Sequence, residues 1–182
     1  MRLSLLILTC LFCGMTSAAE IRSLDVNRSG DRVLVDSQIV IAAPRAAVFA
    51  ALSDYDRFDE LSDRFLQSNF IESDFDGTPR VYTKVSGCVL FFCRTVERVA
   101  RLELTPDTLI IAVANTQLSD LRFGHERWAL SDTEGGTLIV YRYELEPDFW
   151  VPPVIGVWAI KRIAKKDALS AAAKIELMAL EQ

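Results

Sequence analysis

The sequence contains a single histidine, His125, and no motif with metal-ligand spacing accompanies it. A zinc site needs three or four ligands, so the sequence predicts no metal. It also lacks a glycine-rich phosphate loop, a nucleophile elbow and a paired-carboxylate pattern, which would indicate nucleotide binding or hydrolysis. A catalytic His125 would need a partner that orients its ring, and the sequence identifies none. We therefore predict no cofactor and no catalytic residue.

Positive charge is also in deficit. The chain has 20 lysines and arginines against 25 acidic residues, a net charge of −5. Proteins that bind nucleic acid neutralise its phosphates with basic side chains, so we predict no nucleic-acid partner. Internal repeats, low-complexity tracts and long linkers are absent, and after residue 19 no apolar run is long enough to cross a bilayer. The composition indicates one domain.

The first nineteen residues have the composition of a secretory signal peptide. Met1-Arg2 provides a positive start, Leu3 to Met15 an apolar core, and Thr16-Ser17-Ala18-Ala19 the small residues before a cleavage site. The apolar core is too short to span a bilayer as a stable helix. We expect residues 1–19 to be removed on secretion across the inner membrane, which leaves residues 20–182 as a periplasmic domain.

Only Cys88 and Cys93 remain once this segment is removed. In an oxidising compartment an isolated pair this close in sequence favours a disulfide across a hairpin. The alternatives are a metal site, which would require two more ligands, and a thioredoxin-type redox pair, in which two residues separate the cysteines. We predict the structural disulfide.

The order of predicted elements is typical of an α+β protein. Arg32–Ile41 is a β-branched first strand; a helix then opens at Pro44, and Asp59 to Phe65 is a candidate second short helix. Six further strands are predicted at 66–73, 78–85, 94–104, 108–114, 126–130 and 137–145. Short turns between consecutive strands favour antiparallel pairing, so we predict a seven-stranded antiparallel sheet.

A long helix is predicted from Pro152-Pro153 to Gln182. Its apolar residues recur every three or four positions and form one buried stripe. They are Val157, Ile160, Ala164, Ala168, Ala171, Ile175 and Met178. A long helix laid across an antiparallel sheet is the outline of a helix-grip protein.

Several motifs carry a family resemblance that covers nearly all of residues 20–182. The motifs are Ile39 to Phe49 followed by Leu52 to Asp56, Cys88 to Cys93, Ser119 to Gly124, Trp128 to Leu130, and Pro147 to Pro153. Together they resemble an exported bacterial subgroup of the START-like, or SRPBCC, superfamily, in the branch grouped with coenzyme Q-binding and polyketide cyclase-like proteins. The resemblance implies a helix-grip fold around a hydrophobic cavity. The superfamily includes lipid carriers, cyclases, hydroxylase subunits and hormone receptors, so fold alone leaves the function open.

Arg98 is the candidate site residue with the strongest physical argument. Strict alternation along its strand places it on the same face as Val96, Ala100 and Leu102. A charge on an apolar face is costly unless it is paired, so we expect Arg98 to pair with an internal carboxylate or with an anionic group of a ligand. The alternatives are a bulge between Cys93 and Arg98 that turns the guanidinium outward, and a position at the mouth of the cavity. We predict ligand contact.

Four further residues are predicted to line the cavity. The hydroxyls of Tyr141 and Tyr143 could serve as polar handles in a pocket. Ala168 and Ala171 either leave volume unfilled or let the helix approach the sheet closely, and periodicity cannot separate these alternatives. Trp150, between the last strand and the helix, is expected to close one end of the cavity.

The disulfide encloses four large apolar residues, Val89, Leu90, Phe91 and Phe92. One hypothesis is that this tip folds over the mouth of the cavity and is buried. The other is that the tip is exposed and forms a patch that contacts a membrane or a partner. Basic residues of the last helix could assist at an anionic lipid surface, or could form a solvated face. They are Lys161, Arg162, Lys165 and Lys166.

The sequence thus favours an exported binding protein for a hydrophobic small molecule, lipid or quinone, without catalysis. A second hypothesis is a polyketide cyclase-like enzyme in which Arg98, Tyr141 and Tyr143 guide a reaction in the same cavity. A third is an envelope interaction protein whose cavity is filled by its own side chains.

Overall fold

The computed structural model describes residues 19–89, 91–152 and 157–181. The strands are β1 (Glu20–Ser29), β2 (Arg32–Ile41), β3 (Phe65–Ile71), β4 (Arg80–Val89), β5 (Phe92–Thr105), β6 (Leu109–Ala114), β7 (Leu121–Thr133) and β8 (Gly136–Pro147). The helices are α1 (Arg45–Ser53), a one-turn 3₁₀ helix (Phe58–Leu61) and α2 (Val157–Leu180). None of the helices in these ranges is long and apolar enough to cross a membrane. The predicted signal peptide lies outside the described residues, apart from Ala19.

All eight strands form one antiparallel sheet in the order β1-β2-β8-β7-β6-β5-β4-β3. The predicted count of seven strands is therefore wrong by one, because β1 was missed. A bulge between Ile21 and Ser23 interrupts its pairing with β2. A bulge inserts one extra residue into the strand, which matches the three-residue spacing between Ile21 and Leu24. The apolar residues of β1 therefore do not alternate with a period of two.

The two short helices follow β2, as predicted. Pro44 precedes the first turn of α1 in an extended conformation, and the helix buries Val48 and Leu52. The second short helix is the 3₁₀ turn, which ends at Leu61; Phe65, expected in that helix, opens β3 instead. These segments place Phe58 and Leu61 against the C-terminal half of α2 in the core.

Helix α2 lies along the sheet and presents its stripe of small and apolar residues to it. Ala172, Ile175 and Met178 are buried in the main core, whereas Val157, predicted in the stripe, is exposed. The predicted start at Pro152-Pro153 falls partly outside the described residues, which resume at Val157. The result is the predicted helix-grip architecture: a curved antiparallel sheet wrapped around one long helix.

The hairpin of β4 and β5 ends in the predicted disulfide. Cys88 and Cys93 face each other in the strand register with a Cα–Cα distance of 4.0 Å, and their sulfurs are bonded. Phe91 in the turn is 73% exposed, so burial of the whole tip is contradicted at this residue. The Phe92 ring packs 6.3 Å from the ring of Phe149. Leu90 and the side chain of Val89 lie outside the described part of the structure.

Candidate functional site

A cavity of about 490 Å³ lies between α2 and the concave face of the sheet. This volume is within the range of small-molecule sites. Most of the lining is apolar, and strands from both halves of the sheet contribute to it. The apolar lining includes Val35, Ile39, Val85, Val96, Leu121, Trp128, Leu145, Phe149 and Ile175. The open volume contradicts the hypothesis of a cavity filled by the protein's own side chains.

The alanines of α2 explain where the space comes from. Ala164, Ala168 and Ala171 line the cavity, where their short side chains leave volume beneath the helix. Ala172 and Ala179 are buried in the core instead. Both sequence-based alternatives therefore occur along one helix: unfilled volume in its middle turns and close packing toward its C-terminal end.

Arg98 projects into this cavity and is paired there. Strand β5 pairs with β4 in unbroken register around Arg98, which stands opposite Thr83. The alternative of a bulge that turns Arg98 outward is therefore wrong. The Arg98 Nη1 atom donates to Glu126 Oε2 at 2.7 Å, and its Nε atom donates to Thr83 Oγ1 at 3.3 Å. Arg98 is 7% exposed and Glu126 5%.

Glu126 is the partner that the sequence analysis did not single out. On β7, Gly124, Glu126, Trp128 and Leu130 are all buried, because alternate residues of the strand share the inner face. That alternation was readable from Trp128 and Leu130 and would have placed a carboxylate inside. Glu126 Oε1 accepts a further hydrogen bond from the Tyr141 hydroxyl at 3.0 Å. Both carboxylate oxygens therefore have partners.

Burial and the ion pair fix the protonation states of this polar cluster. Burial alone would lower the pKa of Arg98, but Glu126, followed by nearby Tyr143 and Tyr55, raises that pKa well above its usual value. Burial is also the main reason that the pKa values of Tyr55, Tyr141 and Tyr143 are raised. At neutral pH the cluster consists of a charged arginine and neutral phenols.

Aromatic rings complete the cluster. The Arg98 Cζ atom lies 5.6 Å from the centre of the Tyr143 ring, within reach of a cation–π interaction. The Tyr141 ring is 4.1 Å from that of Trp128, another lining residue. The Trp128 Nε1 atom is buried and has no hydrogen-bond partner among the described residues. The predicted residues Arg98, Tyr141 and Tyr143 thus meet in one part of the cavity.

An ion pair between the β3 side and α2 borders the same cavity. Arg64 Nε lies 2.7 Å from Asp167 Oδ2, and both residues are lining residues about one-third exposed. A Cβ atom at position 87 would come within 2.7 Å of the Arg64 guanidinium, so Gly87 is the residue that gives Arg64 room. No periodicity or motif pointed to this pair, because its partners are about a hundred residues apart.

Trp150 is the predicted site residue that the structure places elsewhere. Its side chain is 70% exposed and is not part of the lining. Phe149 lines the cavity instead, and its ring is grouped with the Phe92 ring and the guanidinium of Arg94, which lies near both rings. The following residue then points away from the cavity.

The fold and cavity can be set beside known proteins. The family described as polyketide cyclase/dehydrase and lipid transport matches residues 32–176, which is most of the chain. The chain belongs to this family. Its members share the START-like fold predicted from the motifs, although no curated protein matches the chain at a significant level.

Solved structures support the fold. A START superfamily protein from Mycobacterium smegmatis is 14% identical, with a TM-score of 0.61 over 81% of this chain and 97% of that one. The Zhui aromatase/cyclase from a Streptomyces species is 13% identical, with a TM-score of 0.63 over 82% of this chain and 94% of that one. At these identities the likeness extends to architecture alone.

Proposed function

We propose that this protein is an exported, periplasmic carrier that holds a hydrophobic small molecule or lipid in the cavity beneath α2. The observation that supports it best is an open, largely apolar volume of about 490 Å³ in a chain of the lipid transport and cyclase family. The small side chains of Ala164, Ala168 and Ala171 maintain this volume. The leader-like composition of residues 1–19 supports export.

Mass spectrometry of organic extracts from the purified native protein tests this proposal. We expect one class of apolar molecule to co-purify in near-stoichiometric amount. Ala168→Phe, which fills the cavity, should lose it, while Ala173→Phe on the exposed face of α2 should retain it. Extracts with no enriched molecule, together with no uptake of an apolar dye, would refute carriage.

Exposed aromatic residues beside the cavity suggest that the ligand is exchanged at a membrane surface. Phe91 and Trp150 are exposed, and they adjoin Phe92 and Phe149, whose rings contact each other. Trp158 on the first turn of α2 is exposed as well, and four basic residues and no acidic one follow it before Asp167. Aromatic and basic side chains together favour an anionic lipid surface.

Vesicle flotation tests membrane contact. We expect binding to vesicles with anionic lipid and less to zwitterionic ones, with a clear loss in a Phe91→Ser, Trp150→Ser variant. Phe75→Ser is the matched control: Phe75 is even more exposed than Phe91 and Trp150, but lies beyond the opposite end of β4, roughly 30 Å away. Equal flotation of all three proteins would exclude this surface.

A second candidate is an enzyme that performs acid–base chemistry in the same cavity. Glu126, Tyr141 and Arg98 offer an acceptor, a neutral donor and a fixed positive charge within one hydrogen-bonded group. Such groups can guide an enolisation or cyclisation. Conversion of the co-purified molecule by wild type but not by Tyr141→Phe would favour this candidate over simple carriage.

A further inference from the structure

The polar groups of the cavity are concentrated around one ion pair. Arg98 Nη1 lies 2.7 Å from Glu126 Oε2. Thr83 accepts a further hydrogen bond from Arg98, and Tyr141 donates one to Glu126. The rest of the lining is mostly aliphatic and aromatic, and its other ion pair, Arg64 with Asp167, is about one-third exposed to solvent. A ligand group that is buried in the cavity therefore meets its strongest polar partners around Arg98 and Glu126.

The ion pair is electrically balanced, and this decides which ligand groups are admitted. A carboxylate or phosphate placed against Arg98 would also lie close to the negative charge of Glu126. An ammonium group placed against Glu126 would lie close to Arg98. In a desolvated cavity either arrangement is costly, because the charges are poorly screened. An uncharged polar group meets neither penalty.

The hydrogen-bonding groups favour an acceptor over a donor. Both oxygens of Glu126 already accept, from Arg98 and from Tyr141. A guanidinium has five N–H donors, of which the bonds to Glu126 and Thr83 use two. The hydroxyl oxygens of Tyr55 and Tyr143 also lie close enough to accept from Arg98, and each of these hydroxyls keeps its own O–H to donate. A ligand oxygen that only accepts hydrogen bonds fits this surplus of donors.

We propose that the cavity selects an uncharged, apolar molecule whose polar group is a carbonyl-type acceptor, such as a ketone or ester, and discriminates against the corresponding carboxylate. This inference rests on the proposed binding function and specifies the chemical class of its ligand. Of the two partners expected for Arg98 from the sequence, an internal carboxylate or an anionic group of a ligand, Glu126 is the first, so Arg98 does not require an anionic ligand.

A matched pair of probes tests the selection. Methyl palmitate and palmitate share one chain and differ in charge at the polar end; their affinities are measured at pH 7.5 by displacement of the apolar dye diphenylhexatriene from the purified protein. We expect the ester to bind at least tenfold more tightly. Equal affinity, or tighter binding of palmitate, would overturn the proposal.

A charge variant supplies a second arm. Glu126→Gln removes the balancing charge while it keeps size and one acceptor, so palmitate should gain at least tenfold relative to the ester. Glu97→Gln, which removes an exposed carboxylate paired with Lys84 on the same sheet, should leave the ratio unchanged. A wild-type ratio in folded Glu126→Gln would contradict the role of the charge. The wild-type comparison decides the matter if this variant does not fold.

The dye separates failure of this inference from failure of the proposed function. If diphenylhexatriene binds and the ester is not preferred, the cavity binds apolar molecules without the proposed selection. If neither dye nor ester binds, the carrier function fails, and the inference fails with it.

Discussion

At the scale of single residues, the cavity contains a buried charge pair, Arg98 with Glu126, at a place where apolar side chains would be expected. Replacing a buried ion pair by packed apolar side chains often costs nothing, whereas removal of one partner leaves an uncompensated charge. The Arg98 and Glu126 side chains are both almost fully buried, and Thr83 and Tyr141 each add one hydrogen bond to the pair. Such a pair is explained by specificity more readily than by stability.

Removal of one partner should therefore be costly. We expect Arg98→Met to lower the free energy of unfolding by about 3–5 kcal/mol, because the Glu126 carboxylate is left buried without a cation. Urea denaturation at pH 7 measures this. Lys84→Met, which breaks an exposed pair with Glu97, should change it by no more than about 1 kcal/mol. If Arg98→Met also lowered the free energy of unfolding by no more than about 1 kcal/mol, the Glu126 carboxylate would have to reach solvent.

The buried tyrosines predict a loss of stability at alkaline pH. Burial raises the pKa of Tyr143 above its usual value of 10.0, so the folded state holds the proton that the unfolded state releases. The stabilisation that this proton gives the folded state is complete below pH 10 and is lost as the pH rises through the folded-state pKa of Tyr143. Tyr143→Phe should flatten the decline between pH 10 and 11 by up to about 1.4 kcal/mol per unit, measured by urea denaturation. An unchanged slope would place Tyr143 in water.

At the scale of elements, the hairpin of β4 and β5 is closed by its disulfide. Chain-entropy arguments assign a loop of this size about 2 kcal/mol of stabilisation. We expect no free thiol in the denatured, unreduced protein, and a Cys88→Ser, Cys93→Ser variant to lose stability of that order. Titration with a thiol reagent and urea denaturation measure the two. Two free thiols in protein produced in an oxidising compartment would contradict the pairing.

Adjacent alanines of α2 should respond differently to one substitution. Ala171→Phe fills the cavity, so ligand uptake should fall while the fold persists. Ala172→Phe forces a ring into the close-packed core, where overpacking costs about 1–3 kcal/mol, and Ala173→Phe on the exposed face should change neither property. Thermal melts and dye uptake separate the three. Unfolding of Ala171→Phe would show that the space beneath this turn is too small for a ring.

At the scale of the whole molecule, the sequence predicts architecture better than the site. Turn residues and the alternation of apolar and polar residues predicted seven of the eight strands. Strand β1 was not predicted, because its bulge interrupts the two-residue period of its apolar side chains. Alternation placed Arg98 inside correctly, since β5 has no bulge there. It could not pair Arg98 with Glu126, because β6 stands between their strands and nothing in the sequence reveals the sheet order. The Arg64 and Asp167 pair depends on the docking of α2, which periodicity does not define.

That pair also predicts how ligands enter. Three ion pairs join the C-terminal part of the chain to the segment from Arg57 to Arg64. They involve Asp167 and Lys174 on α2 and Glu181 directly after it, which are spaced seven residues apart. Only the pair of Asp167 with Arg64 borders the cavity. Partly exposed pairs contribute little to stability, about 0–1 kcal/mol, but this one both lines the cavity and is partly exposed to solvent.

We therefore expect Asp167→Asn to release diphenylhexatriene several-fold faster in stopped-flow dilution, with a melting temperature close to that of the wild type. Asp63→Asn, which breaks the neighbouring pair with Lys174 outside the cavity lining, is the control and should release the dye at the wild-type rate. High salt should accelerate release from the wild type toward the Asp167→Asn rate, because a partly exposed ion pair is screened. Equal release rates for both variants at low salt would place the entrance elsewhere, and the hairpin tip with Phe91 would then be the next segment to test.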